Sequence, residues 1–404
     1  MTESLTVQQQ DLRRFLLSFQ GLNPLSRAEP DLAQLIRNLE CVQIDPVSLV
    51  GRNQDLALLA RHDGYRAGSV DVLLARGIIF EYSTHAACLL PIEDFPVLKG
   101  VRARRRQQLQ REMDDLGSVI GEVLTRLHNE GPLTSRAFES PVRVQGYWDG
   151  AVGTTKATSH ALNLLRDAGM IRVVGRDRSL RTFDLAARGL DAEVARRNAE
   201  ISEDEADQAL FAKYLRAFRV VTERDPLWGW KKTTLSQRRS LAAEAASQEV
   251  LVPVKIQETG RSYYLRREDI GRLESCMGQE PYDLEDPALR VRFLPPLDNV
   301  LWGRERLHDL FGFRYVWEIY KPPAQRQFGA YTMPILAGDQ LVGRMDARLS
   351  RDTGALHVLQ MAFEPDFRCP SSFAQTLERD LQHFARSLGA AIVQRQISGE
   401  GRSM

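Results

Sequence analysis

The segment Leu39-Glu40-Cys41-Val42-Gln43-Ile44-Asp45-Pro46 sets an amide and a carboxylate two residues apart, where an N-terminal helical pattern breaks. In an extended chain, positions two apart project to the same side, so Gln43 and Asp45 would point together while Val42 and Ile44 anchor the other face. Pro46 lacks an amide donor and biases Asp45 towards an extended conformation, which fixes where its carboxylate points. Such a pair can hold one water, the amide orienting it and the carboxylate accepting its proton. The same residue types also suit a solvated loop, because Gln and Asp are ordinarily exposed. The surrounding elements must decide.

The clearest of these lies between Ser118 and Leu185. A periodic helix (Val119, Ile120, Val123, Leu124, Leu127) ends at Asn129-Glu130-Gly131, and Thr134 or Ser135 can cap the next one. A further helix from about Thr154 carries Ala157, Ala161, Leu164 and Leu165 and stops at Ala168-Gly169. Met170 to Val174 then reads as a strand, Gly175 to Ser179 as a basic tip, and Leu180 to Leu185 as the return strand. Helix, turn, helix and hairpin is the order of a winged helix. The same order can be traced near the N-terminus, with helices over Val7 to Phe19, Asp31 to Leu39 and Val70 to Ala75 before strands at Gly77 to Tyr82 and Ala86 to Pro91. It recurs around residues 205–270, where Val250 to Ile256 and Ser262 to Leu265 follow helical stretches. From Arg290 to Phe363 the chain is strand-rich, then an amphipathic helix covers Ser371 to Leu388 and a last strand Ala390 to Gln396. The expected class is therefore α+β, with tandem winged helices over 1–100 (carrying the Gln43/Asp45 motif), 101–200 and 201–285, and a β-rich region with a terminal helix over 286–404.

A chain of 404 residues is long enough for two to four such units. No apolar run approaches the ~18 residues of a membrane span, and the start, Met1-Thr2-Glu3-Ser4-Leu5, shows neither a basic nor an apolar signal region, so a cytoplasmic, nucleoid-associated address is expected. Cys41, Cys88, Cys276 and Cys369 are scattered, which gives no disulfide framework or zinc spacing and reads as reduced, buried thiols. Lys plus Arg (54) nearly balance Asp plus Glu (53), yet the cations are bunched, at Arg102, Arg104, Arg105, Arg106 and Arg111 and again at Lys231, Lys232, Arg238 and Arg239. Solvated helix faces look like this, and so do surfaces for a polyanion. The wing residues Arg176 and Arg178, with Arg172 and Arg181 on the flanking strands, favour contact with phosphate.

With these residues in view the chain resembles a known family, the winged-helix DNA glycosylases of the AlkZ and YcaQ type that unhook interstrand crosslinks. The resemblance rests on Val42-Gln43-Ile44-Asp45-Pro46, Arg52-Asn53-Gln54-Asp55-Leu56, Phe80-Glu81-Tyr82 with His85 and Leu89-Leu90-Pro91, and Leu297-Asp298-Asn299-Val300-Leu301-Trp302 leading into Leu310 to Phe313. Glu318-Ile319-Tyr320, Gly329 to Pro334 and Gly338 to Val342 add to it. The family's catalytic element is a Gln, an apolar residue and then Gln or Asp, so the resemblance implies Gln43 and Asp45 as the catalytic pair and the YcaQ-like branch. It implies DNA contacts at Arg52, Asn53 and His85, to which the loop Tyr320 to Gly329, with Lys321 and Arg326, adds a groove-probing element of basic and aromatic makeup. Gln54 stands where many relatives have His, and Ser83 where an aromatic is usual.

The chemistry can be reasoned without the family. A purine alkylated at N7 is cationic and leaves as a neutral base, so what remains is an oxocarbenium-like sugar and a water to capture it. One carboxylate can stabilise the charge and take the water's proton. No nucleophilic Lys, metal or redox cofactor is needed. The expectation is a monomeric, monofunctional glycosylase acting on double-stranded DNA with alkylated or crosslinked purines, away from membranes. The alternatives are a winged-helix transcriptional regulator without catalysis and a protein-docking scaffold, the latter insensitive to salt and without DNA affinity.

Overall fold

Leu12, Phe15 and Leu16 fall on one face of the helix Gln9–Phe19, and in the computed structural model of the chain that face is buried. The structure describes residues 4–25, 30–146, 149, 153–177, 180–225 and 227–395. It divides into two compact units, Met1–Ala67 with Tyr214–Met404, and Gly68–Lys213. Among the described residues no helix is long and apolar enough to cross a membrane.

In the first unit the N-terminal helix finds its apolar partner far along the chain. Strand Leu5–Val7 runs parallel to Leu251–Ile256, which pairs antiparallel with Ser262–Arg266. Val7, Leu12, Phe15 and Leu16 share a core with Val254, Ile256, Tyr263, Leu265 and Leu310. Each such side chain contributes roughly 1.5–3 kcal/mol when fully buried, so packing follows this core rather than consecutive stretches of chain. A five-stranded sheet follows, in the order Val291–Phe293, Thr332–Ala337, Gln340–Ser350, Ala355–Phe363 and Ile392–Arg395, antiparallel except for the last pair. Helix Phe373–Ser387 buries Phe373, Leu377, Leu381 and Phe384, with Phe384 against Phe293 at 5.1 Å between ring centres.

In the second unit strands Ile79–Ser83 and Ala87–Pro91 form a hairpin. Helix Gly117–Glu130 ends at Gly131, whose φ of 85° suits glycine and whose N–H returns to the Leu127 carbonyl. Helix Ala157–Asp167 starts later than expected, because Thr155-Lys156 is drawn into a short ladder with Arg143-Val144. Strands Leu133–Thr134, Leu180–Leu185 and Ile171–Asp177 complete an antiparallel sheet over the buried faces of these helices. The strand reaches Asp177, into the expected tip; Arg178 and Ser179 lie outside the described residues.

Two expectations change. The basic run on helix Lys99–Asp115 is not one solvated face: Arg102 is buried, stacks over the Phe95 ring at 3.9 Å and donates to Asn198, while Arg104 pairs with Asp207 at 2.9 Å. Of the four thiols, Cys41, Cys88 and Cys276 are buried but Cys369 is exposed, since it sits in the irregular stretch before helix Phe373–Ser387.

Candidate active site

The segment carrying Gln43 leaves helix Leu32–Leu39 through Glu40, which adopts a φ of 65° and pairs its carboxylate with Arg216. Only Val42–Gln43 is strand, and Asp45 lies just beyond it. Val42 is buried; Gln43, Ile44 and Asp45 are half-buried. Asp45 Oδ1 accepts the Val47 N–H at 2.8 Å, closing a turn over Pro46 that leaves the second oxygen for another donor. Among the described residues Asp45 has no cationic partner and the Gln43 side chain makes no hydrogen bond. Burial pushes the Asp45 carboxyl above its ordinary pKa, an effect the Val47 N–H partly offsets.

Tyr331 backs this carboxylate. It is 1% exposed, and its phenol is held protonated first by burial and then by the negative charge of Asp45. Its hydroxyl reaches towards the Gly51 carbonyl at 3.4 Å, its N–H donates to Asp346 at 2.8 Å, and Leu349 N–H donates to the Leu49 carbonyl at 2.8 Å. The turn beyond Asp45 is thus tied to the five-stranded sheet. Gly329, at φ 113°, lies so close to the Asp346 carboxylate that a Cβ would clash, which accounts for glycine there.

Trp317 meets Tyr331 edge-on at 6.1 Å and Tyr320 at 5.7 Å, so aromatic contacts run from behind Asp45 to a side chain that is 80% exposed. The loop between Trp317 and Gly329 is organised by Glu318, which accepts Lys321 Nζ and the N–H groups of Gln327 and Phe328, each at 2.8 Å. Arg326 folds back on the carbonyls of Lys321 and Ile319 at 2.9 and 3.2 Å.

The residues expected to meet DNA therefore have varied surroundings. Arg52 forks onto Asp55, at 2.5 and 3.1 Å, and Tyr65 donates to the same carboxylate. Asn53 is 1% exposed and its amide is consumed inside the protein, by the carbonyl of Gln43 and the N–H of Leu297, which removes it from any DNA contact surface. Gln54 is also buried. In the other unit, His85 is half-buried, with Nδ1 3.2 Å from Thr84 Oγ1, and burial lowers its pKa to about 4. Arg176 makes a two-bond pair with the buried Glu81. Lys321 keeps a side chain 42% exposed beside Glu318. Sequence alone did not mark Tyr331, Glu318 or Asn299 as parts of the site. The signal available was their place in the stretches that carry the resemblance, Asn299 in Leu297 to Trp302, Glu318 beside Ile319 and Tyr320, and Tyr331 within Gly329 to Pro334.

The chain belongs to the AlkZ-like DNA glycosylase family, whose model, described as "DNA glycosylase AlkZ-like", matches residues 36–387. It is accordingly a DNA glycosylase, and DNA is its substrate. Among solved structures it is similar to the Streptomyces sahachiroi DNA glycosylase AlkZ, with a TM-score of 0.60 at 16% identity, covering 97% of this chain and 100% of that one. At that identity the likeness concerns the fold.

Proposed function

We propose that this DNA glycosylase hydrolyses the N-glycosidic bond of N7-alkylated purines and unhooks interstrand crosslinks built on them, with Asp45 as the base that activates water and Gln43 as the group that orients it. The observation carrying this reading is the pair itself: a half-buried carboxylate with a raised pKa, no cation against it among the described residues, and an amide two residues away with its hydrogen-bonding capacity unspent. A carboxylate so placed is a stronger base than an exposed one and retains its full charge for an adjacent oxocarbenium ion. Water adds to the anomeric carbon, its proton passes to Asp45, and the neutral alkylbase departs to leave an abasic site. No lysine takes part, so the strand is not cut.

We read the helix, strand and hairpin series as tandem winged helices with a β-rich end; the one expected over 101–200 lies within the second unit, whereas residues 1–100 are shared between the two units. The Tyr320 and Lys321 loop, braced by Glu318 and linked through Trp317 to Tyr331, is the element best placed to probe a groove beside the lesion. Arg52, Arg176, Arg178 and His85 remain candidates for phosphate or base contact, whereas Asn53 serves the protein interior. A regulator without catalysis does not account for an unpaired, desolvated carboxylate.

The test is base release from a duplex carrying 7-methylguanine or a nitrogen-mustard crosslink, followed as alkali-labile sites. Asp45→Asn is expected to lower excision by roughly 10²–10⁴-fold with duplex affinity little changed. Excision at the wild-type rate would remove Asp45 from the mechanism.

A further inference from the structure

Three backbone carbonyls of the segment leading to the catalytic pair are taken by side-chain amides. Asn299 Nδ2 donates to the Leu39 carbonyl at 3.1 Å and to the Cys41 carbonyl at 3.0 Å, and Asn53 Nδ2 donates to the Gln43 carbonyl at 2.9 Å. Leu39 ends its helix, so its carbonyl is among those a helix leaves unpaired. Cys41 and Gln43 are two apart, a spacing at which extended-chain carbonyls share one edge. Two asparagines thus serve this edge as a neighbouring strand would.

Both asparagines are themselves held, Asn53 through its side chain and Asn299 through its main chain. Asn53 Oδ1 accepts the Leu297 N–H at 3.1 Å, and the Asn299 carbonyl lies 3.4 Å from Arg306 Nη2. Asp298, just before Asn299, is bound by Arg61 at 2.6 Å. With exposures of 1% and 7%, neither asparagine is presented to a duplex. The positive φ of Glu40 is uncommon for a residue other than glycine, and the Asn299 amide grips the carbonyls on either side of it.

We infer that Asn53 and Asn299 are positioning residues for excision: by gripping the Leu39, Cys41 and Gln43 carbonyls they set the direction in which Gln43 and then Asp45 project. The inference rests on the assignment of that pair proposed above. A misplacement of about 1 Å at a reacting group can cost 10²-fold in rate.

The experiment compares Asn299→Ala, Asn53→Ala and the similarly branched Asn299→Leu and Asn53→Leu with wild type. It measures single-turnover release of 7-methylguanine, affinity for an undamaged duplex, and hydrogen exchange over residues 39–47. Excision is expected to fall roughly 10²-fold with duplex affinity held within about threefold, while exchange over 39–47 quickens about tenfold and that of the 332–363 strands does not. In an Asp45→Asn background, adding Asn299→Ala should change the residual rate by less than about threefold, because the two act through one group. Should an alanine variant not fold, the leucine variant, which lacks the donor but keeps the branched shape, carries the same measurements. Wild-type excision in a folded variant, or duplex affinity falling in step with excision, overturns the inference. If wild type itself releases no base, the assignment of Asp45 fails, and exchange over 39–47 still decides whether the asparagines hold the segment.

Discussion

Arg61 and Asp298 form a two-bond ion pair, at 2.6 and 2.8 Å, with side chains 1% and 0% exposed. The remaining polar capacity is also used: Arg61 donates to the Gln20 and Ala57 carbonyls at 2.6 and 2.8 Å, and Asp298 accepts the Val300 N–H at 3.0 Å. A buried pair in which each nitrogen and each oxygen has a partner adds little over a well-packed apolar pair, but removing one partner strands the other charge. Asp298→Ala is therefore expected to destabilise the protein by about 3–5 kcal/mol, read as a lower urea midpoint. Because Asn299 is the next residue, excision by the folded fraction should fall as well.

The raised pKa of Asp45 predicts the shape of the pH profile. The carboxylate must be ionised to accept a proton, so single-turnover excision should decline as pH falls, with an inflection above the ordinary Asp value of 3.8. A carboxyl whose pKa is higher folded than unfolded opposes folding where it is ionised, above the folded pKa, and that penalty vanishes in acid. Asp45→Asn, whose Oδ1 can still accept the Val47 N–H, should thus abolish the inflection and leave the melting temperature at pH 7 equal to or above that of wild type. A melting temperature clearly below wild type would mean that the ionised carboxylate holds the fold together and is not held at a cost for chemistry.

Much of this arrangement was legible in the chain because hydrophobic period survives tertiary packing. Ile120, Val123, Leu127, Ala161, Leu164 and Leu165 are buried as their spacing requires, and strand Leu180–Leu185 has its expected bounds. The Gln43 and Asp45 spacing was half the story, since the strand stops at Gln43 and an aspartate turn sets the carboxylate. Helix Asn53–Leu59 escaped because it is buried on every side and so lacks a polar face to mark its period. Asn53 was misplaced for a related reason: an asparagine that serves a backbone carbonyl looks, in sequence, like one that serves DNA. Tyr331 became visible only once the sheet brought it behind Asp45.

His85 should take no part in proton transfer at working pH but be visible in stability. Burial lowers its pKa to about 4, so between pH 5.5 and 8 the folded protein holds it neutral. Its folded pKa lies below the ordinary 6.5, so its contribution to stability is present above 6.5 and is lost as pH falls towards 4. His85→Gln should leave the pH profile of excision unshifted over that range and remove an acid-side loss of on the order of 1–3 kcal/mol. Denaturant unfolding at pH 7 and pH 4.5 measures it, and a profile that moves with His85→Gln would give the imidazole a part in proton transfer.

Glu318 tests whether the exposed aromatic loop must be rigid to act. Its carboxylate is driven up by burial but held below the ordinary value by Lys321 and by the N–H groups of Phe328 and Gln327. As the folded pKa is depressed, this brace is complete above the unfolded value and weakens as pH falls through the folded one. Glu318→Ala leaves two N–H groups without an acceptor, each worth roughly 1–3 kcal/mol if it stays dry. The loop is expected to become a site of limited proteolysis between Ile319 and Phe328, with only a modest change in global stability. Excision of a bulky crosslink should then fall by more than that of 7-methylguanine, because a braced Tyr320 matters most where the base cannot turn freely out of the duplex. Equal loss on both substrates would place the effect on Asp45, through Trp317 and Tyr331, and not on the loop's own contact with DNA.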